Sequence, residues 1–123
     1  MNVSFDFDGT LHHDGHPLWP SLALFRWHDQ CGHRVVIVTT RTQAHEDAAW
    51  WSVHEPDRVT IAAFLSRYRL PVRDVMFTEH QPKANTLVRH QIELHYDDDP
   101  EEVLAAQVAG VQSVLLNGVS FHV

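Results

Sequence analysis

Short apolar runs alternate along this chain with longer stretches of mixed polarity. Val3-Ser4-Phe5-Asp6-Phe7 and Arg34-Val35-Val36-Ile37-Val38-Thr39 are rich in β-branched and aromatic residues and end in polar or glycine residues, which predicts buried strands. Asp74-Val75-Met76-Phe77-Thr78, Ile92-Glu93-Leu94-His95-Tyr96 and Ser113-Val114-Leu115-Leu116 repeat the pattern, so about five strands are expected. Between them Leu18, Leu22 and Phe25, and then Ile61, Leu65 and Tyr68, follow the i, i+4, i+7 spacing of an apolar helical stripe. The best-delimited helix starts at Asp99-Pro100-Glu101-Glu102, with a carboxylate at the N-cap, proline at the first helical position and Glu at N3, and Gly110 closes it. Strand and helix in alternation imply an α/β fold: a three-layer, Rossmann-like arrangement with a mostly parallel five-stranded sheet covered on both faces. There is no repeat, low-complexity tract or linker, so one domain over residues 1–123 is expected.

Composition adds exclusions. The chain has 123 residues, 44% of them hydrophobic and 20% charged, an ordinary balance for a soluble globule. Its net charge of -7 and scattered Lys and Arg provide no basic stripe for general nucleic-acid or anionic-membrane binding. No apolar stretch approaches the roughly 20 residues needed to span a bilayer. The apolar run from Val3 is broken by Asp6 and Asp8, so no signal peptide is read there, and the single cysteine, Cys31, has no internal partner. A cytoplasmic location is expected. The 11 histidines name no function by themselves.

The chemistry concentrates where apolar runs end, which in a parallel sheet is where ligands bind. Asp6-Phe7-Asp8-Gly9-Thr10 closes the first strand with two carboxylates one residue apart and a glycine that permits an unusual turn. Acids so placed raise one another's pKa unless a cation or phosphate-binding groups compensate, and Mg²⁺ is the economical compensation. Thr39 and Thr40 end the second strand, Lys83 precedes a helix after the third, and Asp97-Asp98-Asp99 follow the fourth. Asp6 and Asp98 can hold Mg²⁺, while the Thr39 hydroxyl, with Thr40 as its rival, and the Lys83 ammonium offset phosphoryl charge. Lys83 stands near a helix start, where the macrodipole disfavours a cation, so something anionic is expected opposite it. Asp99 is better explained as a helix cap. Asp97 either reaches the metal through water or orients Lys83.

The order Asp-x-Asp-Gly-Thr, a hydrophobic strand ending in Thr, then Lys, then Asp-Asp resembles the haloacid dehalogenase superfamily of phosphatases, over nearly the whole chain. The resemblance implies a magnesium-dependent phosphohydrolase acting on phosphate monoesters through an aspartyl-phosphate on Asp6. Asp8 would serve as general acid and base and lend its backbone carbonyl to the metal. It also implies a phosphate site formed by Asp6, Phe7, Asp8, Thr39, Thr40 and Lys83. Thr39-Thr40-Arg41 resembles the Ser/Thr-x-Arg of the superfamily's polynucleotide 3′-phosphatases, which makes nucleic-acid ends an alternative substrate; the plainer expectation for Arg41 is a surface arginine. His12, His13 and His16 lie where such proteins carry a mobile flap and are expected to be loop histidines, with a soft-metal site or substrate contact as alternatives. Adjacent Trp50 and Trp51 cannot both face one core, so one marks a dimer contact or substrate platform unless both sit at a helix edge.

Neither the span from Asp8 to Thr39 nor the stretch after Phe77 has room for an inserted second domain, so an uncapped member is expected. In the superfamily such open sites suit large phosphorylated substrates or are completed by a homo-oligomeric partner. A receiver-like signalling module uses similar residues in another order, its paired acids coming first and its Thr preceding its Lys only after the phosphorylated Asp. A pure binding module would not need the full set of Asp6, Asp8, Thr39, Lys83 and Asp98.

Overall fold

The computed structural model describes residues 1–46 and 59–116. Its elements run β1 (Asn2–Phe5), β2 (His12–His13), β3 (His16–Pro17), α1 (Trp19–Gln30), β4 (Arg34–Thr39), a 3-10 turn (Ala44–Glu46), α2 (Ile61–Tyr68), β5 (Val75–Phe77), α3 (Ala84–Arg89), β6 (Leu94–Asp97), α4 (Pro100–Val108) and β7 (Gln112–Leu115). Trp50 and Trp51 lie outside the described residues.

Each of the five apolar runs contributes one strand of a sheet ordered β5-β4-β1-β6-β7, and every pairing in it is parallel. Side chains alternate across this sheet with period two. Val35 and Ile37 join Val3, Phe5, Leu22, Phe25, Ile61 and Phe64 in the core under α1 and α2. Val36 and Val38 face the other way, into a second core with Met76, Leu87, Ile92, Ala106 and Val111 under α3 and α4. The result is the expected three-layer α/β arrangement, with β1 in the centre and buried on both sides.

Chain direction across the sheet decides where a site can form. From β1 the strands step outward through β4 to β5, with α1 and α2 on one face. The chain then crosses to β6 and continues to β7, with α3 and α4 on the other face. The reversal opens a crevice between the C-terminal ends of β1 and β6. The spans 9–38 and 78–96 hold only a two-stranded hairpin, helices and sheet strands, so neither contains a cap domain. Among the described residues no helix is long and apolar enough to cross a membrane.

At α4 the Asp99 side chain accepts the Glu101 N–H at 2.9 Å, and Pro100 occupies the first turn. The capping pattern is completed differently from expectation. Glu102 accepts the backbone N–H of Lys83 at 3.1 Å, tying α4 to the start of α3, while the Asp99 N–H goes to Asp97 Oδ1 at 3.1 Å. Asp99→Ala should lower the unfolding free energy in urea by about 1 kcal/mol and leave divalent-cation affinity unchanged. A loss of cation binding in that variant would return Asp99 to the list of metal ligands.

Candidate active site

β1 ends at Phe5, but its ladder continues one step further, because the Asp6 N–H donates to Tyr96 O at 2.8 Å. Asp6 is thereby held at the mouth of the crevice, 5% exposed. The chain then turns back on itself, with Leu11 N–H donating to Phe7 O at 3.0 Å. Gly9 makes this turn with φ of +82°, and a Cβ there would overlap the carboxylate of Asp98. Glycine is therefore required twice, by the left-handed backbone and by the closeness of the acid. The turn delivers the Thr10 hydroxyl to Asp6 Oδ2 at 3.0 Å, and the same hydroxyl lies 3.5 Å from Asp98 Oδ1.

Lys83 reaches into this corner from the start of α3. Its ammonium lies 2.6 Å from Asp6 Oδ1 and 2.7 Å from Asp97 Oδ2, with only 3% of the side chain exposed. Burial disfavours the lysine charge, yet Asp6 and Asp97 outweigh it and raise its pKa. Asp97 itself is pushed up by burial but brought down to about 2 by the His95 hydrogen bond and Lys83. Below it, His95 Nε2 is 2.8 Å from Asp97 Oδ2 and its Nδ1 is 2.7 Å from the Ser4 hydroxyl, both residues being wholly buried. Burial lowers the His95 pKa, so the neutral ring donates to the carboxylate and accepts from Ser4. A chain of hydrogen bonds thus runs from the core of the sheet through Ser4, His95, Asp97 and Lys83 to Asp6.

Asp6 and Asp98 show the opposite electrostatics. Burial, with repulsion from Asp97, raises Asp6 well above the ordinary carboxylate range despite Lys83, and burial raises Asp98 as well. Asp6, Asp97 and Asp98 each offer an oxygen within 4.8 Å of the others'. An oxygen-only donor set in which Asp6 and Asp98 resist ionisation by themselves fits a hard divalent cation.

Asp8 leaves the crevice. Its side chain is half-exposed, not buried as the apolar setting of the sequence suggested, and is gripped from two sides. Arg41 Nε donates to Oδ2 and Nη2 to Oδ1, each at 2.8 Å, and His12 Nε2 lies 2.9 Å from Oδ1. Burial pushes the Asp8 pKa up, but the hydrogen bonds from His12 and Arg41 and the charge of Arg41 hold it well below the usual carboxylate range. Arg41 is no surface residue: it is 6% exposed, its guanidinium carbon stands 4.8 Å from the Phe7 ring centroid, and Nη1 donates to Glu46 Oε1 at 2.6 Å and to Val59 O at 2.8 Å. Four of its five N–H donors are on protein acceptors, so it does not present a free two-pronged fork to a substrate phosphate. His12 also departs from expectation, being buried on Phe7, whereas His13 and His16 are exposed on the hairpin strands β2 and β3.

A cavity of about 430 Å³ opens over these groups, lined by Asp6, Asp8, Thr40, Lys83, Asp97 and Asp98, with the start of α4 as one wall. Thr39 stands one step behind, 1% exposed, its hydroxyl accepting the Arg41 N–H at 3.2 Å. The structure therefore brings Asp6, Lys83, Asp97 and Asp98 together, sets Asp8 and Thr40 at the rim and places Arg41 beneath it. Glu46 and His95 were not singled out by sequence, while Thr10 was read only as the end of the first motif and His12 only as one of three flap histidines. A polar residue inside an otherwise apolar strand was the available signal for His95; nothing local marked Glu46.

No protein-family model matches the chain, and no curated protein is significantly similar to it in sequence. Solved structures do share its shape. A chain of the Pnkp1/Rnl/Hen1 RNA repair complex aligns over 94% of this chain and 42% of its own length, with a TM-score of 0.68 and 16% identity. A chain of a second Pnkp1/Rnl/Hen1 structure aligns over 94% and 45%, with a TM-score of 0.67 and 17% identity. The D,D-heptose 1,7-bisphosphate phosphatase of B. bronchiseptica, solved with magnesium and phosphate, aligns over 93% and 79%, with a TM-score of 0.62 and 16% identity. The chain spans less than half of the chains it matches in the two RNA repair structures. Its fold is haloacid dehalogenase-like, with no cap among the described residues.

The clamp on Asp8 has a pH signature. A carboxylate held below its unfolded value, near 4, contributes its full stabilisation above that value and loses it as pH falls toward the depressed one. Arg41→Gln should therefore flatten the loss of urea stability between about pH 5 and about pH 3 relative to the unsubstituted chain. Identical acid limbs would show that Arg41 does not hold Asp8.

Proposed function

We propose that this protein is a magnesium-dependent phosphohydrolase that cleaves phosphate monoesters through an aspartyl-phosphate on Asp6. The observation that carries this reading is the Lys83 ammonium bound between Asp6 and Asp97 beneath a cavity whose acids, Asp6 and Asp98, need a cation. The haloacid dehalogenase-like fold, shared with a phosphatase solved with magnesium and phosphate, supports it. Asp6, Asp98 and the backbone carbonyl of Asp8 would hold Mg²⁺, which when bound offsets negative charge on the phosphoryl group and on the acids around it.

In the first half-reaction an Asp6 oxygen attacks phosphorus, the bond from phosphorus to the leaving oxygen breaks, and that oxygen takes a proton from Asp8. In the second, Asp8 takes a proton from water, whose oxygen attacks phosphorus and releases inorganic phosphate and the Asp6 carboxylate. Lys83 uses two N–H bonds on Asp6 and Asp97 and has a third for a phosphoryl oxygen. Both Asp97 oxygens are taken by Lys83, His95 and the Asp99 N–H, which favours orientation of Lys83 over metal ligation for this residue. As it stands Asp8 is held in its ionised form, which suits the water-activating step; to deliver a proton it must loosen its bonds to Arg41 or His12.

Nucleic-acid 3′-phosphate ends lose the residue that recommended them, since Arg41 is engaged by Asp8 and Glu46. Likeness in shape to a chain of an RNA repair complex and the open site still favour testing them. The uncapped site suits a large phosphorylated substrate or a lid from a second copy of the chain. An exposed, unpaired Cys31 supports a reducing compartment such as the cytoplasm.

p-Nitrophenyl phosphate should be hydrolysed only with Mg²⁺ present, and Asp6→Asn should lower the rate by at least about a thousandfold. Mg²⁺ should also raise the thermal midpoint of the unsubstituted chain and not that of Asp98→Asn. Asp8→Asn should accumulate acid-stable phospho-protein after brief mixing with substrate. Undiminished turnover in Asp6→Asn would remove it as the nucleophile.

A further inference from the structure

The flap hairpin carries a buried imidazole that none of the steps above has used. β2 and β3 are joined by Asp14 and Gly15, whose φ values of 50° and 82° are those of a type I′ turn. This turn points the Gly15 N–H at His12 Nδ1, at 3.0 Å. A ring nitrogen that accepts a backbone N–H carries no proton, so the proton of the neutral ring is on Nε2. Nε2 lies 2.9 Å from Asp8 Oδ1, which makes His12 the donor and Asp8 the acceptor. The ring is 6% exposed and packs against both Phe7 and Phe64, with centroid distances of 4.5 and 5.6 Å. Backbone bonding reinforces the link, since the Gly9 N–H donates to His12 O at 2.9 Å.

Asp8 is consequently held from two independent elements. Arg41, at the exit of β4, binds both carboxylate oxygens and is itself braced by Glu46, whose other oxygen accepts the Ile61 N–H at 2.8 Å. His12 binds from the flap. Two parallel bonds from Arg41 fix the carboxylate in the guanidinium plane but allow the pair to rock together. A third donor outside that pair removes this freedom.

We propose that His12 is a positioning residue for Asp8, with the flap turn fixing its imidazole as an Nε2–H donor that sets where the Asp8 carboxylate stands in the acid and base steps. The inference rests on the phosphohydrolase reading above. It locates the dependence on the flap in one hydrogen bond rather than in closure over the substrate.

His12→Phe keeps a ring against Phe7 and Phe64 and deletes the donor; His12→Gln keeps a donor and loses part of the packing. With Mg²⁺ saturating, His12→Phe should lower kcat by about tenfold to a hundredfold with KM changed by less than about twofold. The loss should be larger for an alkyl phosphate, whose leaving oxygen needs the proton, than for p-nitrophenyl phosphate. Phospho-protein should accumulate in acid-quenched samples, and His12→Gln should recover part of the rate. Equal losses on both substrates accompanied by a raised KM, or an unchanged kcat in a folded His12→Phe, would overturn the proposal. If His12→Phe does not fold, the ratio of alkyl to aryl rates in His12→Gln decides: a ratio equal to that of the unsubstituted chain overturns it. Asp6→Asn assayed in parallel separates the two levels. Activity surviving there defeats the phosphohydrolase reading itself, whereas an inactive Asp6→Asn beside a normal His12→Phe defeats only the role of His12.

Discussion

A single ammonium group organises the site. Lys83 Nζ bridges Asp6 at the end of β1 and Asp97 at the end of β6, so one buried cation spans the crevice that the parallel sheet opens between those strands. A buried lysine is costly unless its partners are both close and fixed. They are fixed here by Thr10 on one side and by His95 and Ser4 on the other. Ser4 and His95 are register partners across β1 and β6. The sheet thus carries a polar cross-strand pair in its interior, and that pair stands directly under the carboxylate that orients Lys83.

The two acids of the first motif illustrate how environment divides similar groups. Asp6 lies in the crevice, where burial and a neighbouring acid push its pKa up and a cation is wanted. Asp8, two residues on, is turned outward by the Gly9 turn into the grip of Arg41 and His12, which push its pKa down. The acid whose ionised form a cation would favour and the acid already held ionised by the protein are separated by one peptide turn and by the elements that flank each. Glu46 extends the second arrangement, since it ties Arg41 to the first turn of α2.

Likeness in shape without likeness in sequence fits this division. The chain aligns over more than nine-tenths of its length with structures to which it is only 16–17% identical. A parallel sheet with a crevice at its switch point can be built from many apolar sequences. The polar residues at the strand ends are tied more narrowly, Asp6 to Thr10 and Lys83 and Asp8 to His12 and Arg41.

The sequence by itself determined the layers and the place of the site. The continuous β-branched run from Val35 to Val38 and the three-to-four spacing in the helices are local, so strands, helices and the acids that close them were legible, including Asp99 as a cap. Only the tertiary structure decided the partnerships. Arg41 reads as a surface residue until β4 is laid beside β1, and His12 reads as one of three loop histidines until the hairpin folds it against Phe7 and Asp8. Glu102 matches a capping box locally, yet the nearer start of α3 takes its carboxylate. A hydrogen bond has no sequence signature when its donor and acceptor are brought together by the packing of separate elements, and that is how Asp8 acquired its bond from Arg41.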